Sequence, residues 1–157
     1  MIQVLFLCLG NICRSPMAEA VFRHHVKEKG LQDKFMIDSA GTASWHEGKL
    51  PHEGTRAILE QYNISYAGMN ARQVKQSDGK TFDYIVSMDD QNIKDLKQLL
   101  KGNYESKLVK LTDFLTDNKE ENVPDPYYTG DFDYTYELVN EGTKNLLDYI
   151  LTEHHIH

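Results

Sequence analysis

Residues 2–16 read IQVLFLCLGNICRSP, an apolar run that breaks into a Gly-Asn turn and ends on Arg-Ser-Pro. Ile2 to Leu7 is almost continuously apolar, the pattern of a strand covered on both faces in a parallel sheet. Ser15-Pro16 predicts a helix start, with Ser as N-cap and Pro at the first helical position. Met17, Ala18, Val21, Phe22 and Val26 keep helical spacing as far as a stop at Gly30. A buried strand, a short loop and a helix in succession open a strand–helix–strand crossover.

The rest of the chain repeats that unit. FMIDSAGT, from Phe35, predicts a second strand running into a Ser/Gly loop, and His52 to Tyr62 a helix with Ala57, Ile58, Leu59 and Tyr62 on its apolar side. Tyr84 to Met88 predicts a third strand, followed by a helix opened by acids (DDQNIKDLKQLL), and KLVKL a fourth strand. A polar loop over Thr112 to Asp131 carries NVPDPYYTGDF, and a last helix spaces Tyr136, Val139, Leu146, Leu147, Ile150 and Leu151 for a core. Strand and helix alternate four times, which predicts a doubly wound α/β sheet with right-handed crossovers. Ligands of such sheets sit beyond the carboxyl ends of the strands, where residues 8–16 fall.

At 157 residues, 40% apolar and 26% charged, the chain has the size and composition of one globular domain, 1–157. The first apolar run is too short for a membrane span or a signal-peptide core, so a cytoplasmic address and no membrane are expected. A net charge of −7 argues against nucleic acid or anionic lipid as partner, since either demands a basic face. An anionic ligand would therefore need a local attraction. Two cysteines cannot build a disulfide framework; in a reducing compartment they are thiols, and both lie in this one loop.

The loop has the means to attract an anion. Cys8 and Arg14 are spaced Cys-x5-Arg between a buried strand and a helix N-terminus, where unpaired N–H groups and a partial positive charge await an anion. Gly10 and Asn11 tolerate left-handed backbone, which lets successive N–H groups of Leu9, Gly10, Asn11, Ile12 and Cys13 turn inward as a nest. Arg14 adds a planar fork for two phosphate oxygens. Cys8, facing that positive ring, is expected as a nucleophilic thiolate. No Lys completes a Walker loop, no Gly-x-Gly-x-x-Gly is present, and no second Cys pair or neighbouring His supplies a zinc set, so neither metal nor cofactor is expected.

CLGNICRSP after a first strand, then DSAGT, ARQV, FDYIVSMD and VPDPYY in that order, resembles the low-molecular-weight protein tyrosine phosphatases along essentially the whole chain. The resemblance implies a three-layer α/β sandwich, a four-stranded parallel sheet in the flavodoxin-like order 2-1-3-4, and a metal-free cysteinyl-phosphate mechanism. It implies Cys8 as nucleophile and Arg14 as phosphate-binding residue. Ser15 is read as donor to the departing thiolate, and the resemblance has Asn11 brace the loop through Ser39. Asp125, stiffened by Pro126, is expected to protonate the leaving phenolate and then to act as base on water. Trp45, Tyr127 and Tyr128 are expected to line the pocket and favour phosphotyrosine over shorter phosphoserine. The family often carries His where Met69 stands, which leaves one brace open. Arg72 is expected as a structural ion-pair partner, Asp89 as a helix cap first, and His154, His155 and His157 as a frayed tail. The resemblance also makes Cys13 a redox partner able to form a reversible disulfide with Cys8.

Expected partners are phosphotyrosine-containing proteins, with phosphate or other oxyanions as inhibitors and the chain acting as a monomer. Two relatives on the same scaffold compete. Arsenate reductases relay a disulfide through further cysteines, but no Cys follows Cys13. Protein-arginine phosphatases keep the loop with Thr where Ile12 stands, and remain the alternative.

Overall fold

The computed structural model describes residues 1–116 and 120–156. Part of the expected polar loop (117–119) and His157 of the expected tail lie outside the described residues. The strands are β1 (Ile2–Cys8), β2 (Phe35–Gly41), β3 (Tyr84–Ser87) and β4 (Lys107–Lys110). The helices are α1 (Arg14–Glu28), α2 (Glu53–Gln61), α3 (Asp78–Thr81), α4 (Asp90–Leu100), α5 (Pro126–Thr129) and α6 (Phe132–Glu153). All strand pairs are parallel and the order is β2-β1-β3-β4, as expected, with helices on both faces.

Strand β1 is central, paired with β2 from Ile2↔Phe35 to Cys8↔Gly41 and with β3 from Val4↔Tyr84 to Leu7↔Ser87. Its side chains alternate between faces. Val4, Phe6 and Cys8 join the core under α1 and α6, with Phe22 edge-on to Phe6 at 5.3 Å, while Leu5 and Leu7 join Ile85, Leu96 and Leu100 under α4. Both faces need apolar residues, hence the unbroken run. The same alternation puts the Cys8 sulfur on the face where α1 begins.

Three expectations change. Helix α1 starts at Arg14 with Cys13 as an N-cap that makes no side-chain bond, so Ser15 lies inside the first turn and Pro16 one residue further. The left-handed turn is made by Asn11 alone (φ 57°), not by Gly10, and the chain therefore enters the helix before Ser15 can cap it. The tail is not simply frayed: the Tyr84 hydroxyl reaches Glu153 Oε1 at 2.9 Å and His154 Nε2 at 3.0 Å, with the two rings 5.9 Å apart. The polar loop also holds structure of its own, a 3-10 turn at Leu111–Phe114 and the short α5.

Candidate active site

The loop from Cys8 to Cys13 is held by its carbonyls. Thr42 N donates to Cys8 O and Ala43 N to Leu9 O (both 2.9 Å), while His52 N donates to Ile12 O (2.6 Å) and Thr55 Oγ1 to Cys13 O (3.0 Å). In a planar trans peptide the N–H points opposite to its C=O. Four carbonyls drawn outward therefore turn the N–H groups of Leu9, Gly10, Cys13 and Arg14 the other way, toward the loop's centre. A Cβ on Gly10 would stand 3.0 Å from Cδ2 of His46, whose side chain would have to give way.

Asn11 is buried behind this ring. Its Nδ2 donates to Ser15 Oγ (2.8 Å) and Ser39 Oγ (3.0 Å), and its Oδ1 accepts from Arg72 N (3.0 Å). Ser39 Oγ donates to Glu19 Oε1 at 2.6 Å, and Arg23 Nη2 closes the chain on Glu19 Oε2 at 2.6 Å. Burial pushes the Glu19 carboxyl up, against the pull of Arg23 and the Ser39 hydrogen bond. Glu19 thus braces Ser39, while Met69, at the position where the family often carries His, is buried in the core. Ser15 Oγ lies 3.0 Å from Cys8 Sγ and 3.4 Å from Ala40 O, and toward a thiolate, which has no proton to give, the hydroxyl is the donor. Arg72 spans Asp38 and Asp78, as expected of a structural ion pair.

Arg14, 2% exposed, is gripped from three sides: Nη1 donates to Asp89 Oδ2 (2.7 Å) and Val123 O (2.9 Å), and Nη2 to Asp125 Oδ2 (3.3 Å). Burial pulls this guanidinium down, but the charges of Cys8, Asp125 and Asp89 outweigh it and keep it a cation. Asp89 serves two ends at once. Its Oδ1 caps α4 at Asn92 N (2.8 Å), as expected, while Oδ2 holds Arg14. Asp125 likewise caps α5 through Oδ1 to Tyr127 N (3.0 Å) and turns Oδ2 to the site. Burial, helped by the charges of Cys8 and Asp125, pushes the Cys13 thiol up to about 12.

Cys8, Leu9, Gly10, Ile12 and Cys13 form the floor of a cavity of about 240 Å³ whose sides are Trp45, His46, Asp125, Tyr127 and Tyr128. An apolar cavity of about 150 Å³ suffices for benzene, so this one has room for an aromatic ring with a phosphate beneath it. Of the expected residues, Cys8, Leu9, Gly10, Ile12, Cys13, Trp45, Asp125, Tyr127 and Tyr128 line this cavity, whereas Asn11, Arg14, Ser15 and Ser39 stand behind it. Sequence reasoning missed His46 and His52, which flank Tyr127 at 6.2 and 6.0 Å between ring centroids, and Glu19. A His beside Trp45 in a loop carries no local signal, but a His directly before an apolar-spaced helix could have been read as its cap.

Comparison with known proteins identifies the family. Residues 3–155 match the family model described as low molecular weight phosphotyrosine protein phosphatase. The low molecular weight protein-tyrosine-phosphatase YfkJ of Bacillus subtilis is 49% identical over 98% of both chains. The YfkJ crystal structure superposes with a TM-score of 0.94, covering 98% of this chain and 96% of that one. A protein tyrosine phosphatase from Entamoeba histolytica with Hepes in its active site is 37% identical over 99% of each chain, with a TM-score of 0.90. A Drosophila arginine phosphatase is 32% identical over 95% of this chain and 98% of its own, with a TM-score of 0.87. The chain belongs to the low molecular weight phosphotyrosine protein phosphatase family.

Proposed function

We propose that this protein hydrolyses phosphotyrosine in proteins through a cysteinyl-phosphate intermediate. The observation that carries the reading is the convergence of Cys8, Arg14 and Asp125, from opposite ends of the chain, on one ring of inward N–H groups. The Cys8 thiolate attacks phosphorus in line: an S–P bond forms, the P–O(aryl) bond breaks, and Asp125 passes its proton to the leaving phenolate oxygen. Free phenolate has a pKa near 10 and leaves poorly without that proton. Arg14 and the loop amides take up the charge on the three equatorial oxygens. Asp125, now a carboxylate, accepts a proton from the attacking water. The S–P bond breaks, Ser15 donates its hydrogen bond to the departing sulfur, and phosphate is released. The contact of Arg14 Nη2 with Asp125 Oδ2 (3.3 Å) keeps the acid beside the phosphate that Arg14 would bind.

Trp45, Tyr127 and Tyr128 give the reading its substrate, since a ring between aromatic walls lets only a long aryl phosphate reach the sulfur. Phosphate and other oxyanions act as competitive inhibitors. One chain supplies every group, so the protein works as a monomer, which sedimentation equilibrium tests. We place it in the cytoplasm, where a reducing pool preserves the Cys8 thiol; cell fractionation tests that address. Cys13 is its redox partner: burial holds Cys13 as a thiol, so Cys8 oxidises first to the sulfenic acid, and Cys13 condenses with it to a disulfide with loss of water. Activity after peroxide and then dithiothreitol should return in the native protein and stay lost in Cys13→Ser; equal recovery would leave Cys13 as packing.

The likeness to the Drosophila arginine phosphatase supports a second reading, hydrolysis of phosphoarginine. Against it stands Ile12, apolar and β-branched in the floor, where no hydroxyl is offered to a guanidinium. Initial rates on phosphotyrosine, phosphoserine and phosphoarginine peptides, with chelator present, decide between them. Phosphotyrosine is expected to be fastest, and chelation without effect. An arginine-selective profile would install the second reading, and a requirement for a divalent ion would defeat the mechanism.

A further inference from the structure

Tyr127 sits in a four-residue helix and is 52% exposed, so its own element does little to fix where its ring points. The ring of His52 meets Tyr127 edge-on, at 6.0 Å and 78°, and on its other side stacks on Phe132, at 5.1 Å and 18°. Phe132 in turn lies against Gly54, where any Cβ would come within 2.5 Å of its ring, so the first turn of α2 is shaped to admit it. The His52 backbone N–H donates to Ile12 O in the phosphate loop, at 2.6 Å. Its Nδ1 accepts from Gly54 N at 3.0 Å, which caps α2 and requires that the ring carry its proton on Nε2. One residue is therefore bonded to the floor of the cavity, anchored at a helix start and pressed against the wall.

We infer that His52 is a positioning residue that sets the Tyr127 ring at a fixed place relative to the phosphate loop and so sets the enzyme's affinity for aryl phosphates. This rests on the reading above that Tyr127 lines an aryl-phosphate pocket. The side chain does two separable things, accepting a hydrogen bond and presenting a ring, and only the second bears on substrate. His52→Asn keeps an acceptor for Gly54 N and removes the ring; His52→Phe keeps the ring and removes the acceptor.

The experiment is steady-state kinetics of both variants on p-nitrophenyl phosphate, with thermal unfolding and inhibition by inorganic phosphate alongside. In His52→Asn, KM should rise about three- to tenfold, the scale of a lost aromatic contact, with kcat, the phosphate inhibition constant and Tm near those of the native protein. In His52→Phe, Tm should fall and KM stay near the native value. Overturning results are a KM that follows Tm across the pair, or a native KM in His52→Asn, which decides the matter alone if His52→Phe does not fold. Nuclear Overhauser contacts between the Tyr127 and His46 rings, strong in the native protein and weakened in His52→Asn, report the wall without turnover. Native protein inert toward aryl phosphates with that weakening intact would sink the proposed function and leave the role of His52 standing. Turnover as proposed with unchanged ring contacts and KM would do the reverse.

Discussion

At and just behind the floor of the cavity Cys8, Asn11, Arg14 and Ser15 are each at most 3% exposed, whereas Trp45, Tyr127 and Tyr128 of its wall are 68, 52 and 73% exposed. The floor is polar and buried, and it holds only because its groups are paired: Asn11 alone makes three side-chain hydrogen bonds. A buried donor or acceptor stripped of its partner costs about 1–3 kcal/mol, so no member of this network can move without penalty to the others. The wall is held by ring contacts such as Tyr127 to Tyr128 at 5.3 Å, worth about 0.5–1.5 kcal/mol each and open to rearrangement. A rigid floor fixes the chemistry, and a half-exposed wall decides which phosphate ester reaches it. Floor substitutions should therefore appear in kcat and in stability, wall substitutions in KM.

The severest test of that division is Cys8→Ser. Turnover should fall on the order of 10⁶-fold, the scale on which a hydrolase loses its nucleophile, while phosphate binding, followed by calorimetry, persists on Arg14 and the loop amides. Appreciable turnover would mean that another group attacks phosphorus. Asp125→Ala should cost about 10² to 10⁴-fold on esters of weakly acidic phenols and little on strongly acidic ones. A loss independent of leaving group would make Asp125 a mere partner of Arg14.

Asn11→Ala attacks the floor without touching its reacting atoms. It leaves Ser15, Ser39 and the Arg72 N–H short of a partner and puts Ala at φ 57°. The expected loss is about 2–4 kcal/mol of stability in urea unfolding together with a lower kcat; native stability would show that the network does not brace the loop. Trp45→Ala should do least, a severalfold rise in KM for aryl phosphates with kcat and urea midpoint unchanged. A kcat effect there would break the contrast between floor and wall.

Much of the floor is legible in the sequence because its signals are local. An unbroken apolar run belongs to a central parallel strand, and Cys-x5-Arg at a strand-to-helix junction places a thiol and a cation around an anion site. Asp125 is a different case: aspartate before proline in a polar loop is by itself the mark of a turn, and the following tyrosines and the family resemblance single it out. The wall residues Trp45, Tyr127 and Tyr128 follow from resemblance, since nothing in their spacing says that segments some eighty residues apart meet over one loop.

Tertiary structure decided where each polar group finds its partner. Ser15 carries every mark of an N-cap, yet Asn11 turns the chain early and Ser15 faces Cys8 instead. Asp89 has the position of a cap, and only the approach of Arg14 from α1 divides its two oxygens between helix and site. Glu19 lies on a helix like any surface acid until Ser39, from the neighbouring strand, takes its carboxylate into the interior. His52 joins the wall through the ring of Tyr127 and His154 joins β3 through the hydroxyl of Tyr84, partners distant in sequence. Periodicity and turn chemistry act between near neighbours, so the order of elements and the reactive loop can be read from the residues in a row. A buried hydrogen bond or ring contact depends on residues that meet only once the sheet has formed, and no local pattern announces it.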